Sequence, residues 1–90
     1  MSELKQLVSL EDYEQAIKSD KLCIIKFTAD WCPPCKAVAP DFVALSKEMA
    51  DVVDCYECDV DVNEDAPNEA EVEAMPSFMF YKKGEKLLCV

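Results

Sequence analysis

Apolar positions along this chain alternate between two periods. Leu10, Tyr13 and Ile17 recur at the spacing of one helix face, and Ser9 with Asp12 three residues later forms a capping box at its start. Leu22–Thr28, LCIIKFT, is a continuous apolar run broken only by Lys26, as expected of a buried strand. Helical spacing returns after Cys32, where Val38, Phe42, Leu45 and Met49 step by four, three and four. Pro40 lies inside that stripe and predicts a kink. Val52–Val60 reads as the next strand, and Asp61 or Asn63 can cap a third helix that tolerates Pro67 only near its first turn. Ser77–Tyr81 and Glu85–Val90 read as strands on either side of a tight turn at Lys82–Gly84, and Lys5–Leu10 as a short opening strand. The order β-α-β-α-β-α-β-β predicts an α/β fold, with parallel strands first and an antiparallel hairpin last.

Composition narrows the class. Ninety residues make one domain with one modest core, and a 51% hydrophobic chain has enough apolar surface to fold. No apolar run reaches membrane-span length, and the opening MSELKQLVSLEDYEQ lacks the apolar centre of a signal peptide. The net charge of −10, with nine basic residues, all lysine, makes nucleic acid and anionic membranes poor partners. The absence of histidine removes Cys–His proteases and His-ligated zinc. Glu57, Asp59, Asp61, Glu64, Asp65, Glu69, Glu71 and Glu73 accumulate where no lysine intervenes. That run is either a solvated acidic face or a surface that steers a basic partner. Six cysteines would suit a secreted disulfide scaffold, but regular elements and a single glycine point instead to thiols kept reduced, in a cytoplasmic or similar compartment.

The chemistry concentrates in TADWCPPCKAVAP, residues 28–40. Cys32-Pro33-Pro34-Cys35 closes a predicted strand and opens a predicted helix, the place where parallel α/β folds gather reactive groups. Cys32 falls at the N-cap, where free N–H groups and the helix field favour thiolate over thiol. Pro33 at the first helical position costs no intrahelical hydrogen bond. Cys35 lies one turn in, close enough to close a disulfide, which is the redox reading of a C-x-x-C beside a βαβ pattern. The rival is zinc. Cys55 and Cys58 form a second such pair, and C-x2-C-x19-C-x2-C suits four thiolate ligands. Against it, positions i and i+3 of a strand face opposite ways, so Cys55 and Cys58 would not reach one metal. The plainer reading of Cys23, Cys55, Cys58 and Cys89 is as small buried hydrophobes.

IIKFTADWCPPCKAVAP and MPSFMFYKKGEK resemble the active-site segment and the proline-and-hairpin segment of the thioredoxin family, and CDVDVNEDAPNEAEVEAMPSF is similar to the same stretch of its animal-type members. The resemblance runs from about Lys5 to Leu88 and implies a thioredoxin fold, a central mixed sheet with flanking helices. It further implies a dithiol–disulfide oxidoreductase that needs no cofactor of its own. Its partners would be disulfide-containing proteins and an NADPH-dependent thioredoxin reductase. Carried over, Cys32 is the exposed nucleophile, Cys35 resolves, Trp31 flanks the site, and Met75-Pro76, with a cis bond, holds the substrate backbone.

Three departures bear on function. Pro33 replaces the family's usual glycine, so Pro33-Pro34 resembles the tryparedoxin and nucleoredoxin branches and removes two N–H groups near the sulfurs. Lys26 stands where the family keeps a buried Asp, on a strand expected beside the one carrying Glu57. It either snorkels to water or pairs with Glu57 and tunes the cysteines. The sequence also ends at Val90, before the family's last helix; a truncated domain would leave an apolar sheet face open and favour a dimer through it. Two other functions remain at this level: a redox-regulated interaction module with little turnover, and a four-Cys zinc-binding structural domain.

Overall fold

The computed structural model describes residues 4–90. Its elements are β1 (Lys5–Gln6), α1 (Leu10–Ile17), β2 (Leu22–Thr28), α2 (Pro33–Glu48), β3 (Val53–Asp59), α3 (Asp65–Ala70), β4 (Ser77–Lys82) and β5 (Glu85–Cys89). They follow the predicted order. The sheet runs β1-β3-β2-β4-β5, parallel across its first three strands and antiparallel from β2 through β4 to β5.

Strand alternation divides the core between the two faces of this sheet. On one face, Cys23, Ile25 and Phe27 of β2 join Cys58, Met79 and Tyr81 under Tyr13 and Ala16 of α1 and Ala66 and Ala70 of α3. On the other, Ile24, Val53, Cys55, Phe78 and Phe80 meet Phe42 and Val43 of α2. Phe42 and Phe78 stack edge to face at 5.3 Å. The sheet face expected to lie open is therefore covered in part by α2. An apolar cleft of about 350 Å³ remains beside Val38, Leu45 and Val90.

Local signals act as their chemistry requires. Ser9 Oγ accepts from the Asp12 N–H at 3.1 Å, while the Asp12 carboxylate reaches back to the Val8 N–H at 3.2 Å, which stops the opening strand at Gln6. Asn63, rather than Asp61, closes the start of α3: its Oδ1 accepts from the Ala66 N–H and its Nδ2 donates to the Leu7 carbonyl. The Lys83-Gly84 turn carries two positive φ values, 54° and 85°, as a tight two-residue hairpin demands. Helix α2 runs through Pro40 to Glu48. Val52 and Val60 fall outside β3: the Val52 N–H turns back to the Met49 carbonyl, and the Val60 N–H bonds the Thr28 carbonyl.

Cys23 and Cys58 are fully buried, as expected; Cys55 is half-buried, and Cys89 is exposed because β5 is an edge strand facing solvent along its length. Burial pushes the Cys23 and Cys58 thiols up to about 12, with Asp54 and Asp59 respectively adding to the shift. In the unfolded chain these thiols ionise near their ordinary value of about 9. Their contribution to stability is therefore whole below that value and is lost as pH rises toward about 12. The expected result is a melting temperature that declines between about pH 9 and pH 12, with a shallower decline in Cys23→Ala and Cys58→Ala. An unchanged slope in both variants would contradict this account.

Candidate functional site

The polypeptide leaves the C-terminal end of β2 at Thr28, turns through Ala29–Trp31 and enters α2 at Pro33. Cys32 is the N-cap, with extended backbone at φ −101° and ψ 101°. Pro33 and Pro34 occupy the next two positions and bring no N–H. The first free N–H of the helix is that of Cys35, and it donates to Cys32 Sγ at 3.3 Å. The Lys36 N–H then starts the helical ladder on the Cys32 carbonyl. Two prolines thus reduce the usual cluster of orphan donors at a helix start to a single one aimed at the sulfur.

Cys32 and Cys35 are joined as a disulfide, with Cα atoms 5.3 Å apart. In this closed form Cys32 is only 4% exposed and Cys35 not at all, so the expected exposure of Cys32 is not met while the bond is intact. Ala29, Val60 and Met75 pack around the pair. The Met75-Pro76 peptide is cis, as the sequence reading expected.

Sheet topology brings Met75 to the cysteines. Because β4 runs antiparallel to β2, with Ser77 opposite Phe27, the residues just before β4 meet the residues just after β2. Trp31 is 65% exposed on the rim, and its Nε1 donates to Asp61 Oδ2 at 2.9 Å. The sequence reads Asp61 as a helix-cap candidate and as part of the acidic run, not as a partner of Trp31. Nothing local in the sequence marks a tie across 30 positions.

Beneath the pair lies Lys26. Parallel register places it directly beside Glu57, on the α2 side of the sheet. It does not snorkel: the residue is 1% exposed. Its Nζ donates to the Cys35 carbonyl at 2.9 Å and lies 3.6 Å from Glu57 Oε2. Gln6, which the sequence reading passed over, donates to the other Glu57 oxygen at 2.9 Å. These groups line a cleft of about 410 Å³ that reaches Cys35.

The second C-x-x-C does not join the first. Cys55 packs on the α2 face of the sheet and Cys58 in the opposite core, so the four thiols do not converge as zinc ligands.

Thiol accessibility gives a direct check. Brief iodoacetamide treatment of the oxidised chain should label Cys89. Prior reduction should add Cys32 first and Cys35 more slowly, and should leave Cys23 and Cys58 untouched, since thiols pushed up to about 12 carry almost no thiolate at neutral pH. Equal labelling of Cys32 and Cys35 by mass mapping would remove the distinction between them.

The comparisons with known proteins agree with this geometry. The thioredoxin family model matches residues 5–89. The chain is 46% identical over 78 residues to a thioredoxin of Geodia cydonium, covering 84% of this chain and 73% of that protein. To human thioredoxin it is 41% identical over 86 residues, covering 93% and 81%. Among solved structures, it is similar to Malassezia sympodialis thioredoxin, with TM-score 0.92 and 34% identity over 100% of this chain and 79% of that one. It is also similar to Fasciola hepatica thioredoxin, with TM-score 0.91 and 36% identity over 97% and 85%.

Proposed function

The chain belongs to the thioredoxin family and is a dithiol–disulfide oxidoreductase, and from that premise we propose a division of labour within its site. Cys32 is the nucleophile. Its sulfur sits at the start of α2 and receives the Cys35 N–H, an arrangement that favours the anion. The Cys32 thiolate attacks a substrate disulfide, forms a mixed disulfide and releases one substrate sulfur. Cys35, one helical turn on, attacks Cys32 and frees the second. The bonded Cys32–Cys35 pair at the N-cap is the observation that carries this reading.

Trp31 and Met75-Pro76 form the docking rim. Met75 packs on the cysteine pair, and in this reading its main chain pairs in strand fashion with an extended substrate segment. Substrates are disulfide-containing proteins, and the electrons return from an NADPH-dependent thioredoxin reductase. Among the described residues no helix is long and apolar enough to cross a membrane. Four unpaired cysteines favour work in a reducing compartment such as the cytoplasm.

Insulin reduction tests the function. With NADPH and an animal thioredoxin reductase, the chain should consume NADPH catalytically in the presence of insulin. A chain that is reduced once but does not turn over would instead be a redox-regulated interaction module.

A further inference from the structure

The most unusual group in the molecule is a lysine with almost no contact with water. Lys26 is 1% exposed and, with Phe27, is among the largest fully buried side chains of the described residues. A buried ammonium is costly unless charge and hydrogen bonds compensate it. Here Glu57 lies 3.6 Å away and the Cys35 carbonyl accepts at 2.9 Å. Gln6 in turn holds Glu57 in place. The ammonium is thus fixed against the backbone of a fully buried cysteine, at the floor of a cleft that both residues line.

We propose that Lys26 is a positioning residue for the second half of the reaction: its charge stabilises the Cys35 thiolate as that thiolate forms, and Glu57 holds and partly offsets the charge. This rests on the dithiol reading above and assigns its resolving step a device of its own. In the mixed disulfide, Cys32 Sγ is bonded to a substrate sulfur. The Cys35 thiol gives its proton to solvent in the cleft, and the resulting thiolate attacks Cys32 Sγ. The Cys32–Cys35 bond forms and the Cys32–substrate bond breaks. The electron pair leaves on the substrate sulfur, which takes a proton from solvent. The two cysteines lose two electrons and the substrate disulfide gains them.

The need for such a device is visible elsewhere in the same core. Cys23 and Cys58 are as fully buried as Cys35, and burial, with Asp54 and Asp59 respectively adding to it, moves their thiols strongly toward the neutral form. Cys35 must ionise to react, and what distinguishes its surroundings is the cation. The other charged groups on this cleft are Asp59 of β3, Asp30 of the loop after β2 and Lys36 of α2, with Glu57 nearest to Lys26. From β4, the residue opposite Lys26 is the uncharged Phe78.

Mixing the reduced 90-residue chain, in a Cys89→Ala background, with the aryl disulfide dithiobis(nitrobenzoate) separates the two steps. A first burst of coloured thiolate reports attack by Cys32, and a second reports resolution by Cys35. A wild-type chain whose Cys32–Cys35 pair releases one equivalent of coloured thiolate instead of two would overturn the dithiol reading itself. Given two bursts, Lys26→Met should leave the first unchanged and slow the second at pH 7 by about tenfold or more. Its pH midpoint should move up by about one to three units, the usual effect of an adjacent opposite charge. Lys26→Arg should restore most of the rate. Glu57→Gln retains the cation and removes its counter-charge, so it should move the midpoint down; this arm decides the matter if Lys26→Met does not fold. A second burst unaltered by Lys26→Met, or a midpoint that rises in Glu57→Gln, would overturn the proposal, the latter because Glu57 would then be the proton acceptor.

Discussion

Cys35→Ser is expected to convert this oxidoreductase into a covalent trap. Cys32 would still attack a substrate disulfide, but no neighbouring thiol would displace the substrate, so the mixed disulfide should accumulate. Turnover should fall roughly 10³-fold or more, because a group held one helical turn away acts at an effective concentration far above that of millimolar external thiols. Cys32→Ser should lose turnover to the same extent and trap nothing, since Cys35 is fully buried. Non-reducing electrophoresis after mixing reduced protein with insulin distinguishes the two, with mass mapping to set aside adducts on the exposed Cys89. An adduct at Cys35 in the Cys32→Ser protein would reverse the assignment.

The second large effect is structural. Phe27 is fully buried in the central strand, one residue before the end of β2. It packs in the core shared with Tyr13, Cys58 and Met79. Phe27→Ala should cost about 3–5 kcal/mol from lost burial and the cavity left behind. Domains of this kind hold only about 5–15 kcal/mol in total, so the variant would lie near the edge of folding. Its melting temperature should drop by at least about 12 °C, at roughly 4–8 °C per kcal/mol. Leu87→Ala, on the exposed edge strand, should stay within about 0.5 kcal/mol of the parent. Denaturant titration of both variants provides the comparison, and similar losses in the two would refute the division into core and edge.

Much of the fold was legible because its signals are local. An apolar run with one lysine marked β2, a stripe stepping by four and three marked α2, and the Lys-Lys-Gly stretch at Lys82–Gly84 marked the last turn, where the structure has positive φ at Lys83 and Gly84. The errors fell at element ends and at the cysteines away from the site. Val8 and Val52 have strand-forming side chains, but their N–H groups are taken by Asp12 and Met49 rather than by a neighbouring strand. Cys89 reads like the other cysteines in sequence, yet only its position on an edge strand leaves it exposed.

The reactive pair itself was determined by sequence. Cys32, two prolines and Cys35 span one helical turn, so their mutual distance, the missing N–H groups and the single donor to Cys32 Sγ all follow from helix geometry. What surrounds the pair was decided by tertiary structure. Met75 reaches the sulfurs because β4 runs antiparallel to β2, and Asp61 reaches Trp31 because β3 ends beside β2. Lys26 meets Glu57 and the Cys35 carbonyl because parallel register and strand alternation place them on one face beneath α2. A slip of one residue would send Lys26 to the other face of the sheet. Register belongs to two segments together, and so neither stretch of sequence alone could state it.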